Sequence, residues 1–315
     1  MKILTYKLIV LGAISLVNVM VFSQQKTISI TIDDVPNTTK YKKDNFSPLL
    51  LNVLDSLEVP FAIFINEDKV YKTEFIDKNK EVLEQWIKDE KAIIGNHTYS
   101  HPRYSDVSFE SFVKDIKQGE VLTKNYSLKY NKEVKYFRFP FNDMGKDSTQ
   151  HIQIREYLKS KDYIIAPFTI ESSDWMFDTV YQYYLNNGDI EKAKAIGEQY
   201  VDKTMELLNF YEKMATSIYK RPIKHIYLCH DNAINADYVS EIISRLKQAK
   251  YKIVPFEKSL TDPIYTQKDT YYKKWGISWL YRWMGTQVER VKWMKQEPSL
   301  SEIEKVYNQI QNIKK

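Results

Sequence analysis

Cysteine is almost absent from this chain of 315 residues, since Cys229 is its single example. One cysteine cannot form an internal disulfide, so the fold must depend on its hydrophobic core rather than on cross-links. Low-complexity segments and internal repeats are also lacking, and 43% hydrophobic and 28% charged residues are ordinary values for a globular protein. These features exclude a disulfide framework and a disordered chain, and the length allows one large α/β domain or two smaller ones.

A strong excess of one charge is lacking too. The formal net charge of +5 falls to +3 without the first 23 residues, because that segment contributes Lys2 and Lys7 and no acid. No stripe of Lys and Arg interleaved with aromatic residues is present. We therefore expect no nucleic-acid partner.

Residues 1–23 have the pattern of a secretory signal peptide. Lys2 and Lys7 precede an apolar stretch over residues 8–22. Val21 and Ser23 are small enough for the −3 and −1 positions of a cleavage site. An uncleaved anchor helix is the alternative, but the stretch falls short of the roughly 18 apolar residues that span a bilayer. We predict cleavage near Ser23, a periplasmic or extracellular protein, and no membrane span in the mature chain.

Short β-branched or aromatic runs alternate with amphipathic stretches along most of the chain. This alternation predicts an α/β fold with a parallel sheet or barrel, and the nearly continuous apolar runs indicate strands that are buried on both faces. Seven such runs favour a closed or nearly closed (β/α) barrel over an open sheet. The predicted strands cover residues 29–35, 60–66, 92–96, 136–140, 163–170, 225–229 and 251–255.

Two segments fall outside a minimal barrel. Residues 189–220 have a long helical pattern, which we interpret as an insertion between the fifth and sixth predicted strands. The tail carries Trp275, Trp279 and Trp283 at intervals of four residues, which predicts one shared helix face. Such a stripe is more typical of a helix packed on the domain, with a sugar-stacking platform as the alternative.

Two adjacent carboxylates, Asp33 and Asp34, end the first predicted strand. Successive side chains on a strand point to opposite faces, so the two acids can have different functions, one as a metal ligand and one as a base. His97 and His101 flank a turn-forming Thr-Tyr-Ser sequence after the third strand. Together with Asp34 they would supply three protein ligands and leave one position for water. An H-x3-H spacing alone is weak, and coincidental surface histidines are the alternative.

Asp33 is then the candidate general base, and Arg138 is the candidate to orient it. Arg138 lies within the apolar run at residues 136–140, where a guanidinium needs a buried partner. Arginine can hold a carboxylate by two parallel hydrogen bonds. A surface salt bridge is the alternative for Arg138.

His230 ends the sixth predicted strand and is the candidate general acid for a leaving amine. Asp174 is a candidate to hydrogen-bond His230 and raise its basicity. Leu228 lies two residues before His230 on the strand, so it would face the same site and form the wall of a small apolar pocket. Trp175 would form another wall. A structural hydrogen bond for His230 and core positions for Leu228 and Trp175 are the alternatives.

These candidate residues recur at the carboxyl ends of predicted strands, where (β/α) barrels have their active sites. Their ordered motifs resemble those of the polysaccharide deacetylases with a NodB homology domain, carbohydrate esterase family 4. The resemblance covers residues 26–258 and leaves residues 259–315 as a helical, Trp-rich extension packed on the barrel. The motifs are TIDDV at residues 31–35, HTYSH at 97–101, RFPF at 138–141, SSDW at 172–175 and LCH at 228–230.

The resemblance implies a distorted (β/α) barrel, a divalent metal that is most often zinc, and hydrolysis of N-acetyl or sometimes O-acetyl groups on glycans. The implied substrates include peptidoglycan, chitin, poly-N-acetylglucosamine and xylan. The resemblance implies that Asp33 is the base, that Arg138 orients it, and that Asp34, His97 and His101 are the metal ligands. It also implies that the backbone N–H of Phe141 donates to the oxyanion and that Leu228 forms a wall of the acetyl pocket. His230 is the implied acid, and Asp174 is its implied partner.

The chain departs from the family pattern at three places. Ile32 replaces the usual Phe, Phe141-Asn142 replaces Tyr-Gly, and Glu171 replaces Asp. None of these changes removes a catalytic group. Two alternatives stay open: a hydrolase that acts on a small non-glycan amide such as an acetylated polyamine, and an inactive barrel that binds glycans.

Overall fold

The computed structural model describes residues 25–313, which contain one parallel sheet surrounded by helices. Seven strands follow each other across the sheet in the order β5-β4-β3-β2-β1-β7-β6, and an eighth pairs beside the start of β1. The strands are β1 (Thr27–Val35), β2 (Phe61–Ile65), β3 (Ala92–Asn96), β4 (Val134–Phe137), β5 (Ile164–Ile165), β6 (Ile170–Glu171), β7 (Lys224–His230) and β8 (Lys252–Ile253).

The sheet confirms the predicted distorted (β/α) barrel, but the fifth predicted strand is divided. Residues 163–170 form two short strands, β5 and β6, at opposite edges of the sheet. Between them, the N–H of Ala166 donates to Phe137 of β4, whereas that of Thr169 donates to Ile226 of β7. Pro167 has no N–H to donate in the middle of this run. The barrel is therefore curled and spanned at its open side by the chain itself.

Thirteen α-helices are present between residues 25 and 313. They are α1 (Thr38–Lys43), α2 (Leu49–Ser56), α3 (Ile76–Lys88), α4 (Phe109–Gln118), α5 (Val121–Lys129), α6 (Ser148–Ser160), α7 (Asp174–Asn186), α8 (Ile190–Tyr219), α9 (Ala233–Gln248), α10 (Phe256–Leu260), α11 (Trp279–Arg282), α12 (Gln287–Met294) and α13 (Ser301–Ile313). Four 3₁₀ turns accompany them, at Glu67–Tyr71, Tyr104–Asp106, Pro140–Asn142 and Pro263–Thr266.

The predicted insertion is the long helix α8, which joins the layer of helices outside β6 and β7. The side chain of Asp189 caps the N-terminus of α8 by accepting a hydrogen bond from the N–H of Lys192. At the other end, Lys220 adopts a left-handed conformation that ends the helix. Gly197 allows α8 to approach α9, since a Cβ there would lie 2.0 Å from the ring of Tyr238. The helix therefore packs closely against α9 in this outer layer.

The C-terminal extension attaches to the open side of the barrel. The N–H of Trp279 donates to the carbonyl of Phe168, between β5 and β6, and Arg282 forms a buried ion pair with Asp269. Trp279 and Trp283 are buried, in agreement with packing. The prediction that Trp275 shares their helix face is wrong, because α11 begins only at Trp279 and Trp275 stands exposed before it.

None of the helices within residues 25–313 is long and apolar enough to cross a membrane. The predicted signal peptide at residues 1–23 lies outside the described residues.

Candidate metal and catalytic site

The two carboxylates of the first motif lie at the carboxyl end of β1. Asp33 is buried and aligned with His230 of β7, so parallel pairing alone brings the candidate base and acid onto neighbouring strands. Asp34 is partly buried and has a positive φ of 68°. This left-handed backbone interrupts the strand geometry and turns the two acids to different surroundings.

Left-handed backbone recurs in four of the five motifs that form the site. Thr98, His101, Phe141 and Ser173 have φ values between 53° and 68°. Each such conformation is costly for a residue with a Cβ and persists only where surrounding contacts impose it. Their concentration around one cavity is typical of a functional site rather than of a structural core.

Asp34, His97 and His101 form a group that could hold a metal ion. Their ligand atoms all lie within 4.8 Å of one another. Asp34 Oδ1 is 3.4 Å from His101 Nε2 and 3.7 Å from His97 Nε2, and it has no hydrogen-bond partner among the described residues. Atoms that share an ion at 2.0–2.2 Å in tetrahedral geometry are separated by about 3.4 Å. The donor set therefore fits a divalent cation with two imidazoles and one carboxylate.

Both histidines are prepared to act as ligands. His97 Nδ1 lies 2.7 Å from the carbonyl oxygen of Arg138, which can only accept, so the proton is on Nδ1 and Nε2 faces the site. Burial lowers the pKa of His97 well below its usual value and also lowers that of His101. Asp115 accepts hydrogen bonds from Tyr99 and Ser100 and so holds the turn between the two rings. Neutral rings in a fixed turn are what metal binding requires.

Lys69 was not predicted from the sequence and lies directly against the metal group. Its Nζ is 3.2 Å from Asp34 Oδ2 and donates to the carbonyl oxygen of Asp34 at 2.9 Å. Burial alone would raise the pKa of Asp34, but the charges of Lys69 and the nearby histidines outweigh it and hold that pKa far below its usual range. Asp34 is therefore ionised, and its second oxygen is turned towards the histidines.

Asp33 is enclosed by protein and faces Arg138. Arg138 Nη1 lies 3.5 Å from Asp33 Oδ2, and Nη2 donates instead to Thr31 Oγ1 at 3.1 Å. The guanidinium covers the ring of Phe64 at 4.5 Å, so it is fixed by stacking as well. The contact is thus single rather than the two parallel bonds expected. Burial raises the pKa of Asp33 to about 6, although the charge of Arg138 partly offsets it.

His230 and Asp174 form a close pair on the other side of the cavity. His230 Nδ1 donates to Asp174 Oδ1 at 2.6 Å, and the backbone N–H of His230 donates to Oδ2 at 2.8 Å. Burial opposes protonation of His230, but the charge and hydrogen bond of Asp174 outweigh it and raise the pKa of His230 to about 10. The ring is therefore a cation near neutral pH, as a general acid requires.

Two polar side chains that the sequence did not reveal hold this pair in place. Asn235 of α9 donates both to Asp174 Oδ2 and to the carbonyl oxygen of His230, the latter at 2.9 Å. Tyr200 of α8 donates to Asn235 Oδ1 at 2.6 Å, which fixes the orientation of the amide. The long helix is therefore connected to the candidate acid through buried hydrogen bonds.

One cavity of about 630 Å³ joins these groups. Leu228 lines it two residues before His230, and it is otherwise buried. Phe141 and Trp175 line it as exposed side chains, so Trp175 is not a core residue. Glu171 lines it as well, and burial with the nearby charge of Asp174 raises its pKa to about 7. All ten residues singled out from the sequence are thus brought to this region, with Arg138 and Asp174 behind the cavity wall.

The lining also contains residues without a motif in the sequence. These are Asn37, Lys69, Arg103, Asn142, Asp178, Thr179, Asp231, Asn232, Trp275 and Gly276. Lys69 had one usable signal, because it follows the carboxyl end of β2 in a fold that places functional residues there. Trp275 had none, since its position depends on how the extension crosses the barrel.

Known proteins resemble this chain in part of its sequence and in its fold. Residues 22–158 match the model of the polysaccharide deacetylase family. The peptidoglycan-N-acetylglucosamine deacetylase of Bacillus cereus is 24% identical over 149 residues, which are 47% of this chain and 46% of that protein. The chain thus matches about half the length of this curated relative.

Solved structures share the fold. A peptidoglycan N-acetylglucosamine deacetylase superposes with a TM-score of 0.51 at 17% identity, covering 75% of this chain and 88% of the other. A CE4 family pseudoenzyme from Bacillus anthracis gives 0.51 at 16% identity, covering 75% and 66%. The family match contains β1 to β4 and the first three of the five motifs, so this part of the chain is similar to the polysaccharide deacetylase family.

Proposed function

We propose that this protein is a metal-dependent hydrolase that removes acetyl groups from N-acetylated glycans such as peptidoglycan, chitin-like oligomers or poly-N-acetylglucosamine. The observation that carries the proposal is the meeting of three kinds of group on one cavity: a metal-binding set, a buried carboxylate and a histidine cation. An inactive binding barrel would not need all three.

Zinc is the proposed ion, held by Asp34, His97 and His101. When bound, it would polarise the acetyl carbonyl and make a coordinated water easier to deprotonate. Two imidazoles and one carboxylate are a common ligand set of catalytic zinc sites, in which the remaining position is left for water or substrate.

The protein's own groups would then carry the protons. Asp33 accepts the proton of the water whose oxygen attacks the acetyl carbon, and Arg138 keeps the carboxylate in place. His230 donates its proton to the nitrogen as the C–N bond breaks, so that acetate and a free amine leave. Asp174 keeps His230 protonated until that step and stabilises its orientation.

The acetyl group itself would be held by Leu228 and Phe141. Leu228 offers an apolar wall for the methyl group. Phe141 has a φ of 56°, which directs its peptide away from helical geometry, and we propose its backbone N–H as a donor to the oxyanion. A ring contact of 4.5 Å between Phe141 and His101 keeps this loop against the proposed metal ligands.

The choice of substrate and location rests on the relatives. The name of the Bacillus cereus relative specifies N-acetylglucosamine in peptidoglycan, which lies outside the cytoplasmic membrane. A glycan of this kind, with an exported and periplasmic or extracellular protein, is therefore the proposal. O-acetyl groups, as on acetylated xylan, would suit the same base and metal set.

Acetate release by the purified protein is the direct test. The substrates are N-acetylglucosamine oligomers, peptidoglycan, acetylated xylan and an acetylated polyamine, each with a chelator and with added zinc. Release from a glycan that the chelator abolishes and zinc restores would support the proposal. Release from the polyamine alone would replace the glycan, and release that resists chelation would refute the metal dependence.

A further inference from the structure

Exposed tryptophan and phenylalanine side chains are concentrated at one place on this molecule. Across residues 25–313, three such side chains are exposed: Phe141 (47%), Trp175 (46%) and Trp275 (59%). All three line the cavity that contains the candidate catalytic groups. Scattered single apolar residues are normal on protein surfaces, whereas a group that surrounds one polar cavity indicates a binding surface.

Trp175 marks the side of the cavity that holds the candidate acid. It directly follows Asp174, whose carboxylate holds His230. Its ring meets that of Tyr307 in α13 edge-on at 5.3 Å. The C-terminal extension therefore supports this tryptophan from behind and leaves nearly half of it exposed.

Trp275 marks the side that holds the proposed metal ligands. The neighbouring Gly276 lies so close to Phe141 that a Cβ there would be 2.0 Å from the Phe141 carbonyl oxygen. Phe141 in turn contacts the ring of His101. The extension is thus seated directly on the loop beside the metal group, and Trp275 is the side chain that it adds to the cavity.

From this arrangement we propose that Trp275 forms a sugar-binding subsite, supplied by the C-terminal extension, for a second pyranose ring of an oligosaccharide. The faces of a pyranose ring carry C–H groups that pack against an aromatic plane, and its hydroxyl groups need polar partners at the edge. Arg103 and Asn142 offer such partners in the lining of the same cavity. Aromatic groups on both sides of the acid and metal groups suit a chain of sugars that runs across the reacting acetyl group.

This subsite rests on the proposed function. It predicts that the protein binds longer oligosaccharides more tightly than shorter ones. The buried Trp279 and Trp283 cannot contribute, because they pack inside the extension. Trp293, the fourth tryptophan of the extension, does not line the cavity, so Trp275 is the tryptophan of the extension whose removal should affect ligand affinity.

The test is calorimetric binding of N-acetylglucosamine and its di-, tri- and tetramers to zinc-loaded Asp33→Asn protein, so that no turnover interferes. We expect at least about a 10-fold gain in affinity from monomer to trimer, in line with the large contributions of buried tryptophans at binding sites. Trp275→Ala should abolish most of this gain, and Trp275→Phe should restore part of it. Tyr272→Ala is the matched control, since it removes an exposed ring of the same segment that does not line the cavity.

An unchanged gain in Trp275→Ala would refute the subsite, as would equal affinity for all four lengths in the parent protein. Acetate release by the enzyme with intact Asp33 separates the two proposals. If acetate is released from any of these oligomers but the gain in affinity is unchanged in Trp275→Ala, the deacetylase activity is supported and only the subsite is refuted. Neither release nor binding of any oligomer would remove both.

Discussion

Replacement of Asp174 by Asn should move the alkaline limb of the pH–rate profile to lower pH. His230 must be protonated to act as an acid, and its pKa is raised from 6.5 to about 10 because Asp174 outweighs the effect of burial. A raised pKa keeps the acid active below that pH and lets activity fall as pH rises through it. Without the carboxylate, burial remains and favours the neutral ring, so the pKa should fall from about 10 towards 6.5.

The magnitude follows from the same values. A change from 10 to 6.5 corresponds to roughly 5 kcal/mol at 1.36 kcal/mol per pH unit, and this is an upper bound because Asp33 and Asp34 also favour the cation. A bound divalent ion would lower the pKa in both proteins. We expect the alkaline limb to move down by about 2 pH units, and kcat at pH 8 to fall by about 10²-fold or more, which is the usual contribution of a general acid.

The assay is acetate release from an N-acetylglucosamine oligomer between pH 5 and 11 with saturating zinc. Asp178→Asn is the matched control, because Asp178 lies one turn further along α7 and lines the same cavity, but it accepts from Ile234 and Gln182 rather than from His230. An alkaline limb that stays in place in Asp174→Asn, or that moves equally in Asp178→Asn, would refute the assignment of His230 as the acid held by Asp174.

Three further predictions concern other parts of the molecule. Asp33→Asn should abolish turnover and leave one zinc per chain by elemental analysis, whereas His97→Ala should lose both; normal turnover in Asp33→Asn would exclude it as the base. Tyr200→Phe removes the donor that orients Asn235, so kcat should fall by less than it does in Asp174→Asn. The free energy of unfolding measured in urea should drop by about 1 kcal/mol. An unchanged kcat would show that this hydrogen-bond network is structural only. Glu212 is buried, but hydrogen bonds from His225 and Tyr251 outweigh burial and lower its pKa from 4.5 to about 2. The ionised carboxylate therefore stabilises the fold above pH 4.5. As the pH falls towards 2, roughly 3 kcal/mol of the free energy of unfolding should be lost. Glu212→Gln should flatten the decline of Tm over that range, and an equal decline in both proteins would count against the linkage.

The sequence was sufficient for the fold class because both of its signals are local. Apolar runs buried on two faces predict parallel strands, and acids or histidines directly after such runs predict a site at their carboxyl ends. Asp33 and His230 illustrate this, since parallel pairing of β1 with β7 aligns them without any further information. The division of the fifth strand was also encoded locally, by Pro167, although the run of apolar residues around it concealed the break.

Other features depend on contacts between segments that are distant in sequence. Lys69, Asn235 and Tyr200 reach the site from a 3₁₀ turn, from α9 and from α8, and nothing in their neighbouring residues indicates a partner. The regular spacing of the tryptophans predicted one helix face. The helix begins only at Trp279, however, so Trp275 precedes it and lines the cavity.

The extension and the long helix therefore differ from simple additions to a barrel. Each supports one half of the proposed reaction centre: Tyr200 acts through Asn235 on Asp174 and His230, whereas Gly276 lies against the Phe141 loop beside His101. If these segments were only packing, their loss would lower stability without changing the dependence of rate on pH or of affinity on oligosaccharide length. Because the contacts lead to the groups proposed to donate a proton or to border the substrate, variants at Tyr200 and Trp275 should change those dependences at temperatures well below unfolding.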